Sequence, residues 1–312
     1  MKASGFVDVA IQSYKKPESL IYTLLTLKKH CGELIDTVYI QDDCSDDGTA
    51  ECYSDPRFLE LMAPIKIKIK VNSRPCWIHY FEKEMVKKPH NYFWYCMNKI
   101  VGRKPLLIER EDVRYQWALD STDKDYLFLL HDDVMVTGNI VGKLLAAMGE
   151  NVAIAGDLGQ CWRCPYSDHC SPESICSGER PSNYWPVTYC AATLSNLNKY
   201  KFEKRACRIN EWCCMLDVAT AKKLADQAIY FGSYEDLGDI GAYYFDEIVK
   251  RGYSFADPLA GTDERDNYYI HQWVGFTGHS VWVDQGKGKN EYPKDLIRKK
   301  VKDEFGYPVV RP

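Results

Sequence analysis

The stretch YLFLLHDDV, Tyr126 to Val134, constrains the chain more than any other segment, because five largely apolar residues run directly into a histidine and two aspartates. An apolar run this short and this continuous fits the central strand of a buried sheet. Either the strand delivers metal ligands to an active site, or it only ends in a polar turn.

The segments around it decide the architecture. Phe6 to Gln12 is a short apolar strand, and Pro17 and Glu18 suit the opening of a helix in which Leu20, Leu24 and Leu27 recur at helical spacing. Thr37 to Gln41 is a second strand, closed by Asp42, Asp43, Cys44, Ser45, Asp46, Asp47 and Gly48. So polar a run cannot continue a buried strand and must be a loop at its end. Ile65 to Val71 alternates isoleucine with lysine, the mark of a half-exposed strand. Glu109 to Leu119 fits a helix, and Asn139 caps another that carries Ile140, Leu144, Leu145 and Met148. Trp212 to Val218 is expected as a strand, Ile240 to Lys250 as a helix ended by Gly252, and Pro293 to Phe305 as a further helix.

Strands alternating with helices point to an α/β fold with a mostly parallel sheet. Ligand sites in such sheets gather beyond the carboxyl ends of the strands, where Asp42-Asp43 and His131-Asp132-Asp133 fall. With 312 residues, 27% charged and 46% hydrophobic, the chain suits one elaborated catalytic unit over residues 1–290. Within it, residues 156–190 form a cysteine-rich loop or small subdomain, and residues 291–312 form a charged C-terminal tail.

A net charge of -4 gives no global attraction to nucleic acid or anionic lipid, and no nucleic-acid partner is expected. Lys66, Lys68 and Lys70, like Lys294, Arg298, Lys299, Lys300 and Lys302, fit solvated faces. No export signal opens the chain, and no segment reaches the roughly 20 apolar residues of a membrane span, so a cytoplasmic protein without a transmembrane segment is expected. Thirteen cysteines then favour a metal over a disulfide framework: Cys161, Cys164, Cys170 and Cys176 offer four thiolates for structural Zn²⁺, with His169 or Cys190 as substitutes and free thiols as the alternative.

Four stretches carry a resemblance. VAIQSYKKPESLIYTLLTL, VYIQDDCSDDGT, DYLFLLHDDVMVTGN and the region from Glu211 to Pro258 stand in the order found in nucleotide-sugar-dependent glycosyltransferases of GT-A fold, family 2 type, which this chain resembles. The resemblance implies a Rossmann-like, mostly parallel sheet flanked by helices, and metal-dependent, inverting transfer of a sugar from a UDP, GDP or dTDP sugar to a hydroxyl acceptor it does not identify. It assigns Asp42 and Asp43 to the nucleotide pocket and Asp133 to the last metal-binding aspartate. His131 occupies the place where a first aspartate is common, so either it is a ligand of Mn²⁺ or Mg²⁺, or the ion rests on Asp133 and the donor diphosphate while Asp132 touches the ribose. A late histidine completes such a site, His279 being placed ahead of His271.

The general base is expected among Glu235, Asp236 and Asp239, with Asp236 first. Arg110 and Arg114 are positioned for the donor phosphates or as solvated helix residues, and Trp212 for an acceptor ring or the core. A nucleotidyltransferase is the alternative enzyme, although QSYKKPE lacks the glycine of a phosphate loop. A catalytically degenerate, zinc-stabilised binding module is the alternative outside enzymes.

Overall fold

Leu127, Phe128, Leu129 and Leu130 are completely buried, and alternate residues serve different cores. Phe128 and Leu130 pack with Val9, Ile11, Val38, Ile40 and Met215 on one face of the sheet, whereas Leu127 and Leu129 join Ala10, Ile154 and Leu216 on the other. A strand covered on both faces has no polar side, which is why its sequence shows no alternation.

The structure, a computed structural model, describes residues 6–75, 80–102, 106–159, 208–233, 240–259, 264–273 and 292–311. Its strands are β1 (Val7–Ser13), β2 (Ile35–Asp42), β3 (Lys66–Val71), β4 (Tyr80–Glu82), β5 (Leu106–Ile108), β6 (Tyr126–His131), β7 (Val134–Val136), β8 (Val152–Gly159), β9 (Arg208–Asp217), β10 (Ser254–Ala256) and β11 (Tyr269–His271). Seven of them form one sheet in the order β10-β8-β9-β6-β1-β2-β3. β6, β1, β2 and β3 run parallel, and so do β8 and β10, while β9 is antiparallel to both of its neighbours. β7 and β11 pair antiparallel in a separate ribbon, and β4 and β5 pair in another.

Helix Pro17–Cys31 lies over the core that contains Phe128, presenting Leu20, Leu24 and Leu27. Helix Ala242–Lys250 covers the opposite face with Phe245, Ile248 and Val249. The half-exposed strand expected at 65–71 is β3 at the sheet edge, with Lys66 and Lys68 exposed and Lys70 half-buried against Asp112.

Two expectations need correction. Glu109 to Leu119 is not one helix: a turn of 3-10 helix at Arg110–Asp112 precedes helix Gln116–Ser121, and the break falls at Tyr115, whose φ of 65° lies outside the helical region. The mostly parallel sheet expected is there, β9 alone among its seven strands running the other way. The segment expected to be irregular from residue 156 is strand at its start, since Gly156 to Gly159 complete β8. Gly156 is needed there because a Cβ would stand 2.6 Å from Ile209 Cγ2 and 2.7 Å from Cys214 Cβ on the next strand. The helix expected from Pro293 to Phe305 is present as Lys294–Phe305, which is amphipathic and buries Ile297 and Val301 one turn apart in the same core as Leu24. The cysteine group Cys161, Cys164, Cys170 and Cys176 lies outside the described residues.

Among the described residues no helix is long and apolar enough to cross a membrane. Phe128→Ala is expected to destabilise the protein by about 3–5 kcal/mol, the range for a large core side chain replaced by a cavity. Denaturant unfolding measures this, and a loss below about 1 kcal/mol would contradict its place in the sheet.

Candidate metal and nucleotide site

Three parallel strands stop at one edge of the sheet. Gln12 stands between Gln41 and His131, and Ser13 stands beside Asp42, so the loops after β1, β2 and β6 leave the sheet together. The Asp43 N–H donates to Ser13 O at 2.9 Å, fixing the first two loops side by side. The β7–β11 ribbon then brings in a segment remote in sequence: His271 pairs with Val134, and the Gln272 N–H donates to Asp133 O at 2.9 Å.

The result is a cleft of about 270 Å³ lined by Gln12, Lys16, Asp43, Arg114, His131, Asp132, Asp133, Glu211, Trp212 and His271, among others. Within it the ligand atoms of His131, Asp133 and His271 all lie within 4.8 Å of one another. His271 Nε2 is 3.4 Å and His131 Nδ1 3.8 Å from the same oxygen, Asp133 Oδ1. Burial pushes the His131 imidazole down to about 3, which keeps it neutral with a lone pair available. Burial also acts against the Asp133 carboxylate, but Lys16, His271 and His131 outweigh it and hold that group ionised. Two imidazoles and a carboxylate form a donor set that can hold a divalent metal ion.

Lys16 supplies the opposing charge. Its Nζ sits 2.7 Å from Asp132 Oδ1, and its side chain is only 11% exposed. Burial alone would lower its pKa, yet the carboxylates of Asp132 and Asp133 raise it, so it stays cationic. Arg208, itself 1% exposed, pairs with Glu211 Oε2 at 3.2 Å, and Glu211 Oε1 lies 4.0 Å from His131 Nε2. Trp212 stacks on His271 with ring centroids 4.6 Å apart and planes 13° off parallel. Its indole N–H reaches Tyr269 O–H at 3.4 Å, and that hydroxyl lies 3.2 Å from Asp157 Oδ2. Trp212 packs against the core, one of the two readings expected of it, and its ring also lies flat against an imidazole of the site.

The structure gathers His131, Asp132, Asp133, His271, Asp43 and Arg114 in the cleft and separates others from it. Arg110 does not line it; its guanidinium is held by Asp120 at 2.8 Å and Asp226 at 3.4 Å. Asp42 sits behind Asp43 and is engaged by the Ser45 N–H at 2.7 Å and the Ser45 hydroxyl at 2.9 Å. His271 is one of the three clustered ligands, and His279, Glu235, Asp236 and Asp239 lie outside the described residues. Lys16 and Glu211 were missed from the sequence. Lys16 had a signal, a basic pair directly after a strand end, whereas Glu211 lies inside a strand and had none.

No family model matches the chain, and no curated protein does. Solved structures do. The mannosyltransferase PcManGT from Pyrobaculum calidifontis, in complex with GDP-Man and Mn²⁺, is similar over 96% of this chain and 72% of its own, at 11% identity and a TM-score of 0.50. Glucosyl-3-phosphoglycerate synthase from Mycobacterium tuberculosis, in complex with Mn²⁺ and UDP-glucose, is similar over 81% of this chain and 68% of its own, at 11% identity and a TM-score of 0.41. Core-mannan synthase A from Aspergillus fumigatus, in its Mn/GDP form, is similar over 87% and 76%, at 11% identity and a TM-score of 0.39. The likeness is one of fold: a GT-A-like, mainly parallel α/β sheet flanked by helices.

Burial pushes the Asp42 carboxyl up to about 6, with Asp43 and Asp47 adding to the shift and the two Ser45 bonds opposing it. The folded protein thus keeps a proton that the unfolded chain has already lost between about pH 4 and pH 6. This contribution is complete below about pH 4 and declines as the pH rises through 6. Asp42→Asn is expected to flatten the fall in stability between pH 4 and pH 7 by on the order of 2–3 kcal/mol. Denaturant midpoints across that range measure it, and equal slopes in both proteins would refute the assignment.

Proposed function

We propose that the cleft binds a nucleoside diphosphate sugar with a divalent cation, Mn²⁺ before Mg²⁺, and transfers the sugar to a hydroxyl acceptor. The observation that carries this reading is the convergence of His131, Asp133 and His271 with Lys16 and Arg114 in one cleft at the strand ends. A diphosphate needs both kinds of group: donors for a bridging cation, and fixed positive charge for the remaining oxygens. A cation held by the three side chains would supply Lewis acidity against the charge that grows on the departing diphosphate. Lys16 and Arg114 line the same cleft and hold the phosphates in place, which is the larger part of the work in a group transfer. Asp43, hydrogen-bonded by the Asn72 amide at 3.2 Å, stands on the other side of the β1 end and serves the ribose or base.

The transfer is of inverting, family 2 type on this reading. The acceptor oxygen bonds to the anomeric carbon as the nucleoside diphosphate leaves, and its proton passes to a carboxylate among Glu235, Asp236 and Asp239, Asp236 first. The order of the four sequence stretches and the GT-A-like fold support this, and the fold of the Mn²⁺-bound mannosyltransferase makes GDP sugars the first donors to try.

Calorimetric titration with GDP, UDP and dTDP sugars, each with and without Mn²⁺, tests the proposal. One nucleotide is expected to bind only with the metal, and Asp133→Asn is expected to weaken that binding at least tenfold. A folded wild-type protein that binds Mn²⁺ but none of the nucleotides would overturn it.

A further inference from the structure

Glu18, in the first turn of helix Pro17–Cys31, is completely buried and carries more partners than a helix cap requires. Its carboxylate receives the Tyr292 hydroxyl at 2.7 Å, Arg298 Nη2 at 2.8 Å, and Arg311 through Nε at 2.9 Å and Nη2 at 2.9 Å. Only Arg311 also reaches the loops of the site. Its Nη1 donates to Asp47 Oδ2 at 3.1 Å, in the acidic loop after β2, and its Nη2 lies 3.4 Å from the backbone oxygen of Lys15, in the turn after β1.

Those two loops are already bound to each other. Lys15 Nζ meets Asp46 Oδ1 at 2.9 Å, and the Lys15 N–H donates to Ser45 Oγ at 3.0 Å, the same hydroxyl that holds Asp42. Both contain a non-glycine residue in the left-handed region, Lys15 at φ 55° and Cys44 at φ 62°. Such conformations persist only where surrounding contacts over-determine them. Immediately after Lys15 comes Lys16, the cation paired with Asp132, and immediately before Cys44 comes Asp43, which lines the cleft.

We propose that Arg311 is a positioning residue of the donor site, a guanidinium clamp that fixes the Lys15–Lys16 turn against the Asp42–Gly48 loop so that Lys16 faces the diphosphate and Asp43 the ribose or base. The donor assignment rests on the function proposed above; the clamp itself does not. Arg298 provides the internal comparison, because it shares the Glu18 carboxylate and turns its other nitrogen to Asp295 on its own helix, 3.7 Å away.

The test compares full-length Arg311→Ala, Arg311→Lys and Arg298→Ala by amide hydrogen exchange over residues 14–16 and 43–48 and by calorimetry with GDP and UDP in Mn²⁺. Arg311→Ala is expected to speed exchange in both loops and to weaken nucleoside diphosphate binding on the order of tenfold, as a misplaced cation should. Arg298→Ala is expected to lower the melting temperature while leaving exchange in the loops and binding as they were. Lysine keeps the charge but not the planar fork, so Arg311→Lys recovers only part of both effects and serves if the alanine variant fails to fold. Equal effects of the Arg298 and Arg311 substitutions, or unchanged loop exchange in both Arg311 variants, would overturn the clamp. If the wild-type protein binds neither nucleotide, the donor reading fails, and the exchange comparison alone decides the clamp.

Discussion

The burial of Lys16 among carboxylates is the interaction on which the rest of the site depends. Asp43, Asp132, Asp133 and Glu211 all come to one edge of the sheet with 6% exposure or less. Ionised carboxylates in so dry a place repel one another and lose their hydration, a cost of several kcal/mol for each without compensation. Lys16 meets this on one side, 2.7 Å from Asp132, and Arg208 meets it on the other through Glu211. Because a protein cation already neutralises Asp132, Asp133 is left to face the two imidazoles. The division of labour between adjacent aspartates thus follows from where one lysine lies.

Much of the fold was legible because its central strands carry strong signals. Tyr126 to Leu130 had no polar residue to place on a surface, and the acidic runs after Gln41 and Leu130 could only be loops. β9 was placed as a strand, yet its antiparallel direction is set by its pairing with β6 and β8, which no local pattern records. Tyr115 hid a break inside an otherwise helical pattern because an aromatic residue gives no warning of a positive φ. The basic cluster from Lys294 to Lys302 concealed Ile297 and Val301, two buried positions in a helix whose remaining surface is charged.

The site was legible where ligands follow strand ends and obscure where tertiary pairing supplies them. His131, Asp132 and Asp133 were read directly from their place after β6. Composition did not single out His271, and what brings it to the site is the ribbon that places it opposite Val134. Arg110 and Arg114 looked alike in the same way, but Asp120 and Asp226 draw one of them off while the other reaches the cleft. In both cases the deciding partner lies elsewhere in the chain.

The separation of the third metal ligand has a consequence for how the molecule matures. His131 and Asp133 belong to a strand and turn that form with the centre of the sheet, whereas His271 arrives on a ribbon from well over a hundred residues away, steadied by Trp212 from yet another segment. Contacts so distant in sequence close late, after the loop entropy between them has been overcome. Until that ribbon docks, the chain offers two of the three ligands; once it docks, a cation held by all three would favour the docked state by mass action. Metal occupancy at such a site would then be a record of completed assembly, and a depleted supply of the ion would loosen the molecule first at the ribbon and last at the sheet.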